Sequence, residues 1–469
     1  MTNTEFKKYG YQMIDRLAQY FDEIENYPVK SNLSPGDIKA QLPQNAPEMG
    51  ENFDDILADF EKIILPGITH WQSPSFHAYF PANNSFPSIL AELLSSGLGL
   101  QCMVWATSPA AAELEETVMN WLRDAIGLPN YFSGVIQDTA STATLCAILS
   151  ARERHSDYQT NIHGISNNKY TVYCSVEAHS SIEKAVKIAG LGSNCLRKIP
   201  VRSDFSMDTV ALSLQIDTDV SKGYIPLAVI GVLGTTSSLA FDNIAEINRI
   251  SKQKNIWVHV DAAHAGSAFI LEEYRYLIDG IDGIDSFVFN PHKWLFTNFD
   301  CSAYFVSDKE CLTRTFEIMP EYLKTGVDKL VNNYRDWGIQ LGRRFRALKL
   351  WFVIRSYGME GLRQTLRKHI EYAQIFKARL SQDTRIEILA PVTMNLICFR
   401  LHPVGIDDES KLSDINNNLL NKLNDSGKVF LTHTKLDGKY TLRAVFAQTN
   451  LELTHVEKLQ NLIFEQIEI

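Results

Sequence analysis

Residues 257–294 read WVHVDAAHAGSAFILEEYRYLIDGIDGIDSFVFNPHKW and contain two short apolar runs that each end in polar residues. Both runs are rich in valine and aromatic residues, as strands buried on two faces are. Four such runs are predicted as strands: Thr171–Ser175, Leu227–Leu233, Trp257–Val260 and Ser286–Phe289. Helical patterns such as Ile244–Gln253 lie between them. Strands that alternate with helices predict an α/β fold with a mainly parallel sheet.

The N-terminal region predicts a helical arm. Six apolar residues recur there at helical spacing: Phe6, Tyr9, Met13, Leu17, Tyr20 and Ile24. A second helical pattern covers Phe53–Leu65. We expect residues 1–85 to dock on another surface, such as a second subunit. A helix pair packed on its own core is the alternative.

The remaining chain predicts a large and a small domain. Residues 86–360 contain the α/β pattern and form the large one. A helix at Gly361–Leu380, strand-like runs at Thr393–Leu401 and Tyr440–Phe446, and a final helix predict a small α+β domain over residues 361–469. A chain of 469 residues is long enough for two or three such units.

Composition narrows the class of protein. Apolar residues make up 45% and charged residues 21%, as in ordinary globular proteins, and no apolar run is long enough for a membrane span. The net charge of −10 disfavours nucleic acid as a partner. The N-terminus lacks a signal-peptide pattern, and the seven cysteines show neither a C-x-x-C pair nor a zinc-type spacing. We therefore expect a cytoplasmic protein with reduced thiols and no metal.

Polar residues follow the predicted strands at their carboxyl ends, which is where parallel sheets bind ligands. Asp261 follows one strand, NPHK (290–293) follows another, and GTT (234–236) follows a third. A fourth element, DTAS (138–141), enters a helix through small hydroxyl residues and is typical of an anion site. We expect these groups to lie around one ligand.

Together these groups match the chemistry of pyridoxal 5′-phosphate (PLP). Asp261 can pair with a protonated pyridine nitrogen, and a desolvated Lys293 can form a Schiff base with an aldehyde. Five residues offer donors for a phosphate: Thr139, Ala140, Ser141, Asn290 and His292. Each residue alone is more often a surface group or a helix cap. Their joint order on successive strand ends is what predicts a PLP site.

Seven segments resemble the group II PLP-dependent decarboxylases, and aromatic L-amino acid decarboxylase in particular. They occur in the family's order along nearly the whole chain: THWQSPSFHAYFP (69–81), SPAAAELE (108–115), EAHSSIEKA (177–185), GTTS (234–237), HVDAAHAGSAF (259–269), FNPHKWLFTNFDCSA (289–303) and LGRRFRALKLW (341–351). The resemblance implies the aspartate-aminotransferase-like architecture known as fold type I, with a helical N-terminal arm and a small C-terminal domain. It also implies a lyase that converts an aromatic L-amino acid to its amine and CO₂.

The resemblance implies roles for individual residues. Lys293 matches the Schiff-base lysine, Asp261 the partner of the pyridine nitrogen, and His179 the histidine that stacks on the cofactor ring. The other implied cofactor contacts are Thr139, Ala140, Ser141, Thr236, Ala263, Asn290 and His292. Asp138 and Thr139 depart from the family's usual Gly-Ser. Tyr322, in the PEYLK stretch of a predicted lid, matches a tyrosine implicated in protonation, and completes the expected catalytic set.

The resemblance also implies a substrate wall. Its expected members are Trp71, Tyr79, Phe80, Pro81, Ala82, Gln101, Met103 and Gly342. In the family, the segment around Gln101–Met103 reaches the pocket of the partner in a homodimer. Gly342 matches a position where relatives carry Gly or Ser, and glycine there goes with room for an indole ring. A tight backbone turn is the alternative reason for that glycine.

Three other functions stay open. They are an aldehyde-forming decarboxylase, a decarboxylase of a non-aromatic amino acid, and a non-catalytic PLP-binding homologue. Tyr322 counts against the first, because family members with that activity tend to replace it. The presence of both Lys293 and Asp261 counts against the last.

Overall fold

The structure, a computed structural model, describes residues 1–165, 169–318 and 330–467. The helices in these ranges are α1 (Asn3–Asp22), α2 (Asp37–Gln41), α3 (Phe53–Asp59), α4 (Phe86–Leu98), α5 (Pro109–Ile126), α6 (Ala140–His155), α7 (Gln159–His163), α8 (Ser181–Ile188), α9 (Thr209–Ser221), α10 (Ile244–Lys252), α11 (Pro291–Trp294), α12 (Lys309–Phe316), α13 (Arg346–Leu380), α14 (Glu409–Asp425) and α15 (Leu453–Ile467). Across the described ranges, no helix has the length and apolar character needed to cross a membrane.

The described strands are β1 (Ser133–Gln137), β2 (Tyr170–Ser175), β3 (Leu196–Ile199), β4 (Ile225–Val232), β5 (Trp257–Asp261), β6 (Ser286–Phe289), β7 (Ser302–Val306), β8 (Ile386–Ile388), β9 (Leu396–Leu401), β10 (Thr432–Leu436) and β11 (Lys439–Val445). The chain divides into two compact units. The first consists of Met1–Tyr79, Tyr372–Leu389 and Ile397–Ile469, and the second of Phe80–Glu371 and Ala390–Leu396. The three-domain division expected from the sequence stays a prediction.

The second unit is built on a seven-stranded sheet in the order β1-β7-β6-β5-β4-β2-β3. Strands β3, β2, β4, β5 and β6 pair in parallel, whereas β7 is antiparallel to both of its neighbours. The predicted α/β fold with a mainly parallel sheet is therefore confirmed. Residues of β5, β6 and β7 are buried along their whole length, because helices cover both faces. This explains why the strands appear as unbroken apolar runs in the sequence.

The first unit contains α1 and a four-stranded sheet in the order β10-β11-β9-β8. A capping box formed by Thr2 and Glu5 begins α1, but the helix buries none of its residues within the chain. Phe6 and Leu17 in its apolar stripe are 65% and 42% exposed. The predicted N-terminal helix is thus present.

Two predicted helices differ from the structure at their ends. The pattern at Phe53–Leu65 forms a regular α-helix only to Asp59 and then widens into a π-helical turn at Phe60–Ile64. The helix expected from Gly361 is the second part of α13. That helix starts at Arg346 and breaks at Gly358, where a φ of 65° suits glycine.

Candidate active site

A cavity of about 240 Å³ opens in the second unit at the carboxyl ends of β4, β5 and β6. Its lining includes every residue predicted to bind the cofactor: Thr139, Ala140, Ser141, His179, Thr236, Asp261, Ala263, Asn290, His292 and Lys293. Phe80 of the predicted substrate wall also lines it. Gly234 of the predicted GTT group lines it as well, and four further lining residues are not among the predicted site residues: Ser181, Val232, His264 and Phe299. His264 lies within the quoted DAAH motif, which was the available signal.

The N-terminus of α6 forms one side of the cavity. The hydroxyl of Thr139 accepts the Thr142 N–H (3.4 Å), and the Asp138 carboxylate accepts the Thr139 N–H (2.6 Å). These two residues, which depart from the family's Gly-Ser, thus act as a local helix cap. The N–H groups of Ala140 and Ser141 belong to the first turn, where a helix has no internal acceptors for them. Such a terminus favours an anion.

Two residues at the start of α11 present donors to the same cavity. His292 accepts the Cys301 N–H at Nδ1 (2.9 Å), and burial lowers the pKa of His292 to about 3. The ring is therefore neutral and carries its proton on Nε2 as a donor. Asn290 accepts the Ser302 hydroxyl at Oδ1 (2.6 Å), which leaves the carboxamide nitrogen as its donor.

Asp261 is the last residue of β5, and Lys293 lies in α11, which follows the neighbouring strand β6. Asp261 is 5% exposed and accepts the Ala263 N–H at Oδ1 (3.0 Å), an arrangement that fixes the carboxylate. Burial lowers the pKa of the Lys293 amine, and the negative charge of Asp261 acts in the opposite direction. Because a neutral amine is the nucleophilic form, this environment favours attack on an aldehyde.

His179 lines the cavity from the loop between β2 and α8. Its Nδ1 accepts the Ser181 N–H (3.1 Å), which fixes the orientation of the ring. Burial lowers the pKa of His179, and the charge of Asp261 opposes that shift. A neutral, oriented imidazole can stack on a flat ligand.

Gly234 is one lining residue that must be glycine. Its φ is +89°, and an added Cβ would lie 2.8 Å from the Cβ of Ala265. Any side chain would therefore strain the turn and push the segments after β4 and β5 apart.

The remaining substrate-wall residues do not line the cavity. Trp71 and Tyr79 belong to the first unit, where their rings stack with centroids 5.7 Å apart, whereas Pro81 and Ala82 belong to the second.

Gln101, Met103 and Gly342 come together on another part of the second unit, away from the lining. The Arg343 N–H donates to the Gln101 Oε1 (2.7 Å), and the Arg335 N–H donates to the Met103 carbonyl (2.9 Å). Tyr322 lies outside the described residues.

The cavity's chemistry fits PLP, whose phosphate, pyridine nitrogen and aldehyde need an anion site, an acid partner and an amine. The start of α6 with Asn290 and His292 supplies the first, Asp261 the second and Lys293 the third. On the carboxyl edge of a mainly parallel sheet, this set defines a PLP enzyme of fold type I.

Comparison with known proteins gives the family. The model of the pyridoxal-dependent decarboxylase conserved domain matches residues 35–402. Aromatic-L-amino-acid decarboxylase of Mus musculus is 41% identical over 472 residues, covering 97% of this chain and 96% of the relative. Phenylacetaldehyde synthase of Arabidopsis thaliana is 42% identical, with 99% and 96% covered. The structure of Catharanthus roseus tryptophan decarboxylase in complex with L-tryptophan has a TM-score of 0.94 at 38% identity, with 100% and 99% covered.

The chain belongs to the pyridoxal-phosphate-dependent decarboxylases of group II. Its cofactor is accordingly PLP, and its class is that of the carboxy-lyases. The resemblance to aromatic L-amino acid decarboxylase is confirmed.

Proposed function

We propose that the chain decarboxylates an aromatic L-amino acid, with tryptophan or 5-hydroxytryptophan among its good substrates, to the amine and CO₂. One observation carries the proposal: the lysine, the carboxylate and the phosphate donors named from the sequence all line one cavity. The names of the relatives support the substrate class, since one is an aromatic-L-amino-acid decarboxylase and another is held in complex with L-tryptophan.

The residues divide the chemistry among them. Bound PLP supplies an electron-accepting ring that stabilises the charge left on the α-carbon when CO₂ departs. The Lys293 amine would hold the cofactor through its aldehyde. The Asp261 carboxylate would pair with the pyridine nitrogen, and His179 and Ala263 would contact the cofactor ring. The amides at the start of α6, with Asn290 and His292, bind the phosphate.

Tyr322 returns a proton to the α-carbon in this scheme. The test is Tyr322→Phe: without the hydroxyl, O₂ can oxidise the charged carbon, giving aldehyde, ammonia and peroxide in place of amine. The second candidate function, aldehyde formation by the parent enzyme, is raised by the 42% identical phenylacetaldehyde synthase. Amine as the only product of the parent, without O₂ uptake, would exclude it. Amine at the parental rate from the Tyr322→Phe variant would show that another group is the donor.

Two measurements test the activity itself. Absorbance at the visible edge of the ultraviolet, bleached by borohydride, reports PLP joined to a lysine and excludes a module that binds no PLP. Product analysis with Trp, 5-hydroxy-Trp, Phe, Tyr, dihydroxy-Phe and His then defines the substrate. No CO₂ from any of the aromatic substrates would refute the proposal.

The active form is a homodimer in this proposal, located in the cytoplasm. The apolar stripe of α1 supports a second copy as the partner, because Phe6 and Leu17 remain exposed. Tyr9 of the same stripe packs on Phe53 within its own chain. The face of α4 supports it too, since Phe86, Leu93 and Leu98 are each more than half exposed. Sedimentation combined with an activity assay should show activity falling as the dimer dissociates. A fully active monomer would refute this part.

A further inference from the structure

Four aromatic side chains form a stack that runs from the cavity wall into the second unit; we call Phe80, His264, Trp294 and His369 the ring stack. Phe80 and His264 line the cavity, with ring centroids 3.9 Å apart and planes 13° from parallel. His264 continues onto Trp294 at 4.9 Å and 7°. His369 lies at the edge of Trp294 in nearly the same plane, with ring centroids 6.5 Å apart and planes 11° from parallel. The rings are thus nearly parallel throughout.

Two hydrogen bonds fix the inner rings. The Trp294 indole N–H donates to His369 Nδ1 (3.0 Å), so His369 is neutral with its proton on Nε2. His264 Nε2 lies 3.1 Å from Asn395 Oδ1, which can only accept, so this nitrogen carries a proton. Trp294 and His369 are fully buried. Each histidine therefore has one ring nitrogen that is fixed by a hydrogen bond.

The ring stack contacts both ends of Lys293. Trp294 is the next residue in the chain and anchors the backbone. Phe80 lies at the other end, with its ring centroid 5.5 Å from the lysine Nζ. Between them, the Lys293 carbonyl accepts an N–H of the Asn83 carboxamide (2.7 Å).

This anchoring matters because α11 is a single turn, Pro291–Trp294, and a helix that short has no stability of its own. Its position must come from packing. The Lys293 side chain, in contrast, must be free to bind and release the cofactor during turnover. A rigid ring stack beside α11 can fix the Lys293 backbone and still leave the amine free to move.

We propose that the ring stack is a positioning device for Lys293, holding its backbone in place and closing an apolar wall that keeps its amine desolvated. The inference rests on the proposed role of Lys293 as the cofactor lysine. The titratable groups around the amine are Asp261, His179, His292 and His264, from β5 and its following turn, the loop after β2, and α11. Replacing Trp294 changes none of them, so a change in the basicity of the amine reports its solvation.

The experiment measures that basicity in the cofactor-free protein. Acetic anhydride labels neutral amines, and mass spectrometry of the Lys293 peptide gives the labelling rate against pH. Trp294→Phe keeps an aromatic ring but loses the N–H donor. We expect its labelling midpoint to rise by about one pH unit, a tenfold smaller neutral fraction at lower pH. Trp121→Phe, at a 40% exposed position on α5, is the matched control and should keep the parental midpoint. A folded Trp294→Phe protein with the parental midpoint would overturn the proposal.

Two variants of His369 provide the test if Trp294→Phe does not fold. His369→Gln retains an acceptor for the indole N–H, whereas His369→Leu removes it. We expect the parental midpoint in the first and a raised midpoint in the second. Parental midpoints in both variants would refute a role for the stack. The outcome is separate from the proposed function, which the absence of CO₂ from every aromatic substrate would overturn whatever the labelling shows.

Discussion

The cofactor end of the cavity and the predicted substrate wall are organised differently. At the cofactor end, side chains at strand ends are tied to the neighbouring backbone, as Asp261 is to Ala263 and His292 to Cys301. In the predicted wall, Gln101 and Gly342 are exposed and do not line the cavity. Side chains at the carboxyl ends of one sheet are positioned by the fold of a single unit. Side chains on loops depend on further packing contacts for their positions.

The largest expected effect comes from replacing Lys293, the residue predicted to carry the cofactor. Lys293→Ala should retain the phosphate donors but lose the covalent attachment, so turnover should fall by several orders of magnitude, at least about 10³-fold. Steady-state kinetics with saturating PLP measure this fall, and Lys184→Ala, an exposed lysine on α8, is the control. Near-parental turnover in Lys293→Ala would mean that another lysine carries the cofactor.

The sequence could predict that Asp261 and the NPHK motif come together, because of simple geometry. Parallel strands place their carboxyl ends on one edge, so Asp261 and the NPHK motif had to converge once both strands were recognised. The direction of β7 could not be read in the same way, because an apolar run looks alike in a parallel and an antiparallel strand. It pairs antiparallel with β6, a direction that its own residues do not indicate.

The role of His264 could not be predicted either, for a different reason. Its partner rings are Phe80 and Trp294, which come from distant parts of the chain. No local periodicity links them. Contacts of this kind depend on tertiary packing, and a sequence without aligned relatives carries no signal for them.

The next prediction concerns the pH dependence of folding stability, which the buried ring of His292 should influence. An unfolded histidine has a pKa of about 6.5, whereas burial lowers that of His292 to about 3. As the pH falls below 6.5, the unfolded chain therefore takes up a proton that the folded site resists. The stability associated with neutral His292 is full above pH 6.5 and is lost as the pH falls toward 3.

Urea unfolding of the cofactor-free parent and His292→Asn at pH 7, 6 and 5 measures the effect. The free energy of unfolding should fall more steeply in the parent, by up to about 1.4 kcal/mol per pH unit. Other titrating groups are common to both proteins and cancel in the difference. Parallel pH profiles would show that His292 is not held neutral by burial.

The smallest expected effect concerns the substrate wall, at Gly342. This residue is not among those with positive φ, so a tight turn does not require glycine there. An added Cβ would instead lie 3.2 Å from Gln101 Nε2, the end of a flexible side chain. Gly342→Ser should therefore act through Gln101, which must move by a few tenths of an ångström while its Oε1 is held by the Arg343 N–H.

Because a flexible side chain can yield, the cost should lie near the low end for overpacking, about 1 kcal/mol, or roughly fivefold in specificity. We expect Gly342→Ser to lower kcat/KM for Trp by that factor relative to Tyr and dihydroxy-Phe, with the parent using Trp at least as well as dihydroxy-Phe. The Gly342→Ala variant adds the Cβ without the hydroxyl, so it separates the effects of these two groups on specificity. In a Gln101→Ala background the effect of the serine should shrink, because the pair then no longer interacts. If the parent instead prefers Tyr or dihydroxy-Phe and the serine leaves that preference unmoved, Gly342 and Gln101 do not form the substrate wall, and the resemblance that placed them there does not extend from the cofactor to the substrate.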